Sequence, residues 1–153
     1  MHVYLEPMEN VPSESAVRAW ATLVRVQQTL LAAVERDLNA AGQPPLAWYD
    51  VLLELERAAQ GRLRPNELQR RLLLAQYNLS RLLDRLERAG LVGREPCSDD
   101  GRGHWVVISH AGRERRRQMW PIYAGAIQTH LGGKLAEAEV DALVVLLDRL
   151  RPH

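Results

Sequence analysis

Between Gln76 and Arg102 the chain carries the side chains best suited to contacting another molecule. Gln76, Tyr77, Asn78, Ser80 and Arg81 are followed by Arg85 and Arg88, and then by Arg94 and the turn residues Asp100 and Arg102. Arginine can make paired hydrogen bonds to guanine O6 and N7, and asparagine or glutamine to adenine N6 and N7. The later arginines suit phosphates, which hold a reader in register without reading sequence. A planar guanidinium at Arg102 suits a minor groove or a phosphate, and Asp100 suits an arginine partner that shapes the loop. Asp99 and Asp100 would oppose DNA if left without such a partner.

These residues need a scaffold, and the apolar spacing supplies one. Leu79, Leu82, Leu83 and Leu86 recur at i, i+3, i+4 and i+7, which predicts a helix over 76–89 ended by Gly90. Pro65 suits the first position of a short helix through Leu73, after the segment RLRP turns the chain. A further helix is expected from Leu46 to about Gly61, with Trp48, Val51, Leu52 and Leu55 on one face and Asp50, Glu54 and Arg57 on the other. Downstream, Leu91–Glu95 and Trp105–Ile108 read as two strands, joined through Asp99, Asp100, Gly101 and Gly103. Short helix, turn, polar-faced helix, then basic hairpin is the order of a duplex-DNA reader. A plain two-helix packing unit with solvated arginines has the same leucine stripe.

Flanking this core, Ser13 caps a long helix carrying Val17, Trp20, Val24, Leu31, Val34 and Leu38, stopped by Gly42 and the Pro44-Pro45 pair. After the hairpin a helix begins near Ala111, where Pro121 is expected to bend or break it. A last helix is expected over Leu135–Leu150. The outer helices carry more apolar surface than a small domain covers alone, which points to a second subunit. Ordinary packing within the chain is the alternative.

A chain of 153 residues is expected to form a single domain, 1–153, without a separate catalytic module. Its net charge of +1 conceals segregation: residues 64–117 hold 12 arginines against 7 acids, and the rest holds 8 basic groups against 12 acids. A solvated surface is the alternative explanation of such a cationic middle when charge is taken alone. A lone cysteine, Cys97, excludes an internal disulfide framework and fits a reducing cytoplasm. No apolar run approaches the roughly 20 residues of a membrane span, and the amino end lacks the marks of a secretory signal.

The segment ELQRRLLLAQYNLSRLLDRLERAGLVGREPCSDDGRGHWVVISHAG resembles the winged helix-turn-helix core of the MarR family of bacterial transcription regulators. LSRLLDRLERAGLVGRE matches its recognition helix and first wing strand, and DGRGHWVVIS its Asp-x-Arg wing and following strand. The resemblance extends over about 14–150. It departs from the family pattern at Gln69, usually alanine, at Ser109, usually threonine, and at Ile108, usually leucine. The implied fold is mainly α (α+β): a winged helix-turn-helix core over 46–110, a β-hairpin wing, and dimerisation helices over 13–42 and 111–151. The implied function is that of a homodimeric repressor of transcription on a pseudo-palindromic operator, released by a small molecule. Asp100 and Arg102 match the family's wing pair, and Gln76, Tyr77, Asn78, Ser80 and Arg81 the exposed start of its recognition helix.

Family members commonly bind small aromatic or anionic effectors between the dimerisation helices and the winged lobe. Trp20, Trp48, Tyr49, Trp120 and Tyr123 are candidate pocket residues here, with Arg25 for a carboxylate or phenolate, although each aromatic on its own is better explained as a structural core or interface residue. Cys97, between Arg94 and Arg102 in sequence, is a candidate redox site if that neighbourhood exposes it and lowers its pKa; a passive wing cysteine is the alternative. His104, His110 and His130 lack a short ligand spacing, so no metal is expected. No catalytic triad or glycine-rich phosphate motif is present, so neither an enzyme nor a cofactor is expected. A helical dimeric scaffold that contacts protein instead of DNA remains open.

Overall fold

The computed structural model describes residues 10–74, 78–97 and 103–152. Helix α1 spans Glu14–Ala40, and its first turn is closed by the Ser13 hydroxyl accepting from the Ala16 amide. Helix α2, Leu46–Arg57, follows Pro45 and has no cap of its own. Instead Glu35 of α1 accepts from the Leu46 amide at 2.7 Å, so a neighbouring helix satisfies an end that local sequence leaves open.

A 3-10 turn at Ala59–Gly61 leads into strand β1, Arg62–Leu63, and then helix α3, Pro65–Arg71. Helix α4 is Leu79–Arg88, and strands β2, Val92–Pro96, and β3, His104–Ile108, form the wing hairpin. The sheet is antiparallel in the order β1-β3-β2, with Arg62 opposite Val107 and Val92 opposite Ile108. The expected turn at RLRP is therefore a third strand. It gives the marginal two-stranded hairpin the extra edge pairing that such ribbons need.

Helix α5, His110–His130, starts from the Ser109 cap. The Ser109 hydroxyl accepts from the Gly112 amide and donates to the Gly90 carbonyl at 2.6 Å, joining the ends of α4 and α5. Pro121 does not break α5. The carbonyl of Arg117, which proline leaves without its usual helix partner, lies at an exposed position where water can reach it. Helix α6 covers Glu137–Asp148.

Two apolar clusters hold these elements. One joins Val51, Leu52 and Leu55 of α2 to Leu68 of α3, the four leucines of α4, and Val106 and Ile108 of the wing. The other joins Leu46 and Tyr49 of α2 to Val34 and Leu38 of α1 and Met119 and Ala126 of α5. Helix α2 is thus buried on two sides. Part of the cationic middle belongs to this scaffold: Arg116 and Arg113 both reach Glu56 of α2, Arg115 meets Gln43, and Arg117 pairs with Glu114.

The outer helices leave apolar side chains in solvent. Val17, Trp20, Leu23 and Val26 are exposed on α1, Trp120 and Ile127 on α5, and Val144 to Leu147 on α6, a helix with no buried residue. Among the described residues, no helix is long and apolar enough to cross a membrane.

Candidate nucleic-acid interface

Helix α4 is amphipathic by construction. Its leucines face the core, whereas Ser80, Arg81, Asp84, Arg85 and Arg88 are exposed. It begins at Leu79, where the Asn78 side chain accepts from the Arg81 amide at 3.2 Å and acts as the N-cap. Asn78 therefore stands before the helix with its oxygen occupied; only its NH2 remains for another partner. Gly90 at φ 76° lets the chain leave α4 in a left-handed turn and enter the wing. The expectations placed on Gln76, Tyr77, Asp99, Asp100, Gly101 and Arg102 lie outside the described residues.

Arg94 changes role. It faces inward from β2, with Nη2 at 2.8 Å from Asp84 and Nε at 3.2 Å from Glu87. Both acids belong to α4, so Arg94 braces the wing against that helix instead of standing free at the hairpin base. Each such half-exposed pair contributes at most about 1 kcal/mol; the geometry matters more, since it fixes the angle between the two elements. On the opposite face of the sheet, Arg62 and Arg64 lie 4.5 and 5.1 Å from the Trp105 ring. Stacking of this kind contributes about 0.5–1 kcal/mol where exposed.

Cys97 is 5% exposed, against the open wing cysteine that redox sensing requires. Arg94, its expected activating neighbour, is engaged with Asp84 and Glu87. A thiol this enclosed offers oxidants little access, which weighs against the redox reading.

The six candidate pocket residues separate into three places. Tyr49, Trp120 and Tyr123 come together, with ring centroids 5.1 to 6.1 Å apart. Trp20 is 70% exposed on α1, Arg25 is exposed on the same helix, and Trp48 packs against the other apolar cluster, beside Asn78, Arg81 and Arg85. A cavity of about 180 Å³ does exist beside the aromatic group, lined by Leu46, Tyr49, Asp50, Leu53, Leu74 and Tyr123. Its cationic members are Arg57 and Arg71, not Arg25.

Asp50 is the residue that sequence reasoning misplaced. It is 6% exposed, and its two carboxylate oxygens accept from the Leu73 and Leu74 amides at 3.1 and 2.9 Å. It thereby fixes the segment that leads into α4. Burial pushes its pKa above the usual carboxylate value, opposed by these two amide bonds. Tyr123 is likewise raised, first by burial and then by the negative charge of Asp50. A signal was present: Leu46, Tyr49, Asp50 and Leu53 recur at i, i+3, i+4 and i+7, a second stripe on α2.

Of the three histidines, His130 pairs with Asp37 at 2.8 Å, His110 is exposed at the start of α5, and His104 lines a groove beside the wing. Among the described residues, no three His, Cys, Asp or Glu side chains form a group able to hold a metal ion.

Comparison with known proteins agrees with this arrangement. The MarR family model matches residues 43–103, from the turn before α2 to the wing. Over 140 residues the chain is 29% identical to the HTH-type transcriptional regulator YkoM of Bacillus subtilis (strain 168), covering 92% of this chain and 88% of YkoM. AbsC, a MarR family transcriptional regulator from Streptomyces coelicolor, superposes with a TM-score of 0.80 at 27% identity, over 92% of this chain and 95% of AbsC. A mutant MarR from E. coli complexed with operator DNA superposes with a TM-score of 0.77 at 26% identity, over 90% and 96% of the two chains. The helix pair, wing and outer helices are arranged as in these proteins, and the family match over the core together with these likenesses supports a MarR family winged helix-turn-helix, DNA-binding transcription regulator.

Proposed function

We propose that the chain acts in the cytoplasm as a homodimeric repressor, with α4 of each subunit in a major groove of a pseudo-palindromic operator and each wing in the adjoining minor groove. The observation that carries this reading is the exposed row Ser80, Arg81, Arg85 and Arg88 on a helix braced to the wing by Arg94. In this reading Ser80 and Arg81 contact bases or adjoining phosphates, Arg85 and Arg88 hold phosphates, and Arg94 positions. Gln76, Tyr77, Asp100 and Arg102 complete the surface by resemblance. Residues 1–153 form one domain, with the winged core at 46–110. The apolar faces on α1, α5 and α6 support the dimer, because monomeric proteins rarely expose such patches.

The cavity beside Tyr49 and Tyr123 supports release by a small aromatic effector. At about 180 Å³ it suits a single ring, since a cavity of about 150 Å³ accepts benzene. Arg71 at the cavity supplies charge for a carboxylate or phenolate, whereas Arg57 there is paired with Glu54. Binding there shifts DNA affinity only to the extent that the effector favours the DNA-free arrangement.

Selection and sequencing of bound genomic fragments, followed by titration of variants on the selected operator, tests the assignment. Arg81→Ala is expected to weaken the operator by about 1–3 kcal/mol while changing nonspecific binding less. Arg88→Ala is expected to weaken cognate and noncognate duplexes evenly and to lower the salt slope by about one per subunit. No duplex binding by the wild-type protein at low salt overturns the reading.

A further inference from the structure

A second depression lies between α3, α4 and the wing, with a volume of about 340 Å³. Pro65, Asn66 and Gln69 line it from α3, Leu79, Ser80 and Leu83 from α4, Arg94 from β2, and His104 from β3. We propose that this groove seats the phosphodiester strand separating the two DNA grooves that α4 and the wing occupy, with Asn66, Gln69 and His104 as its contacts. The inference rests on the DNA-binding reading above and adds a third surface to it.

Topology leads to this occupant. If α4 enters a major groove and the wing tip the adjacent minor groove, the backbone dividing those grooves has to pass between them. The depression occupies that interval. His104 lies opposite Pro96 in the hairpin and shares the inward sheet face with Val106 and Ile108, so it faces the helices. Asn66 and Gln69 are exposed on α3, the helix that crosses the backbone in a helix-turn-helix. The Asn66 oxygen accepts from the Glu67 amide at 2.9 Å, which leaves its NH2 as a donor.

The charges decide which chemistry the groove offers. α3 and α4 contribute only neutral side chains to its lining. Arg94 is the charged group there among the described residues, and Asp84 and Glu87 balance it from behind. What remains for a phosphate is two amides, the Ser80 hydroxyl and one imidazole. A phosphate favours the protonated form of an imidazole that meets it, so binding there takes up a proton and tightens as pH falls.

The test compares wild type, His104→Gln, the double variant Asn66→Ala with Gln69→Ala, and Arg81→Ala on the selected operator and on random duplex, at pH 8 and pH 6. Wild type is expected to bind both duplexes several-fold more tightly at pH 6 than at pH 8, within the limit of about 100-fold per proton taken up over two pH units. His104→Gln is expected to abolish most of that gain and to lower the pH 6 salt slope by about one per subunit on both duplexes. The double variant is expected to weaken both duplexes several-fold at either pH, and its exposed sites leave the fold intact by circular dichroism. The groove assignment fails if wild type and a folded His104→Gln share one pH profile, or if the double variant binds as wild type; should His104→Gln not fold, the double variant decides alone. If wild type binds no duplex, the DNA reading itself fails. If Arg81→Ala weakens binding and the groove variants do not, only the groove assignment falls.

Discussion

Asp50→Ala is expected to lower stability by about 2–3 kcal/mol and to weaken DNA binding without touching any DNA-facing side chain. Its carboxylate accepts from two backbone amides, Leu73 and Leu74, that have no other described partner. A buried N–H left unpaired costs roughly 1–3 kcal/mol, and water at the exposed Leu73 recovers part of the loss. Because this segment leads into α4, its loosening lets the recognition helix sample orientations that no longer fit the groove. Urea denaturation measures the stability, and amide exchange at Leu73 and Leu74 should accelerate selectively. Wild-type stability and unchanged exchange in the variant would falsify this role.

The pH dependence has a definite sign. Burial raises the Asp50 pKa, so the folded protein holds this proton more tightly than the unfolded chain does. The associated stability is present below the unfolded value of about 3.8 and is lost as pH rises through the folded value. Asp50→Asn keeps one acceptor oxygen and cannot titrate. The difference in stability between wild type and Asp50→Asn should therefore shift against wild type as pH rises from about 4, and then level off; a flat difference from pH 4 to 7 contradicts it.

Gly112→Ala is expected to cost about 2 kcal/mol net, an inversion of the usual gain from replacing glycine in a helix. An added methyl at Gly112 would overlap the Leu91 carbonyl oxygen and come within 2.8 Å of Ile108 Cγ1. Overpacking costs roughly 1–3 kcal/mol, and a backbone obstacle places this site at the upper end because it cannot rotate away. The helix-propensity gain of about 1 kcal/mol offsets only part of the clash. Gly125, on the same helix, has open space around its added methyl. Gly125→Ala should leave the protein as stable or raise stability by up to about 1 kcal/mol. Thermal or urea melts of the two variants are expected to move in opposite directions, and a Gly112→Ala protein as stable as wild type removes close packing at this joint.

The elements with a full helical period were legible in advance. The leucines of α4, the Ser13 cap and the proline start of α3 each combine a local signal with a buried face. Strand β1 was not, because two residues carry no period; it forms only when β3 offers its edge. The pocket was half legible for a related reason. Periodicity tells which residues of a helix share a face but not what lies opposite, so Tyr49 and Trp48 read alike although they enter different clusters. Asp50 was assigned to solvent by residue type, although its spacing placed it with Leu46 and Tyr49. Adjacency in sequence also misled at Cys97, since an extended chain sends nearby side chains to opposite faces and Arg94 turns toward α4. Arg94 itself was legible as a basic residue at the wing base, but its two acidic partners come from another element.

The burial of α2 on two sides has a consequence for how the molecule fails. A helix whose Val51, Leu52 and Leu55 complete one cluster while Leu46 and Tyr49 complete the other cannot melt with either half alone. Loss of the winged lobe removes a wall from the outer helices, and loss of the outer helices strips the back of the lobe. Heat should consequently take both apart in one cooperative transition, followed alike by any spectroscopic probe.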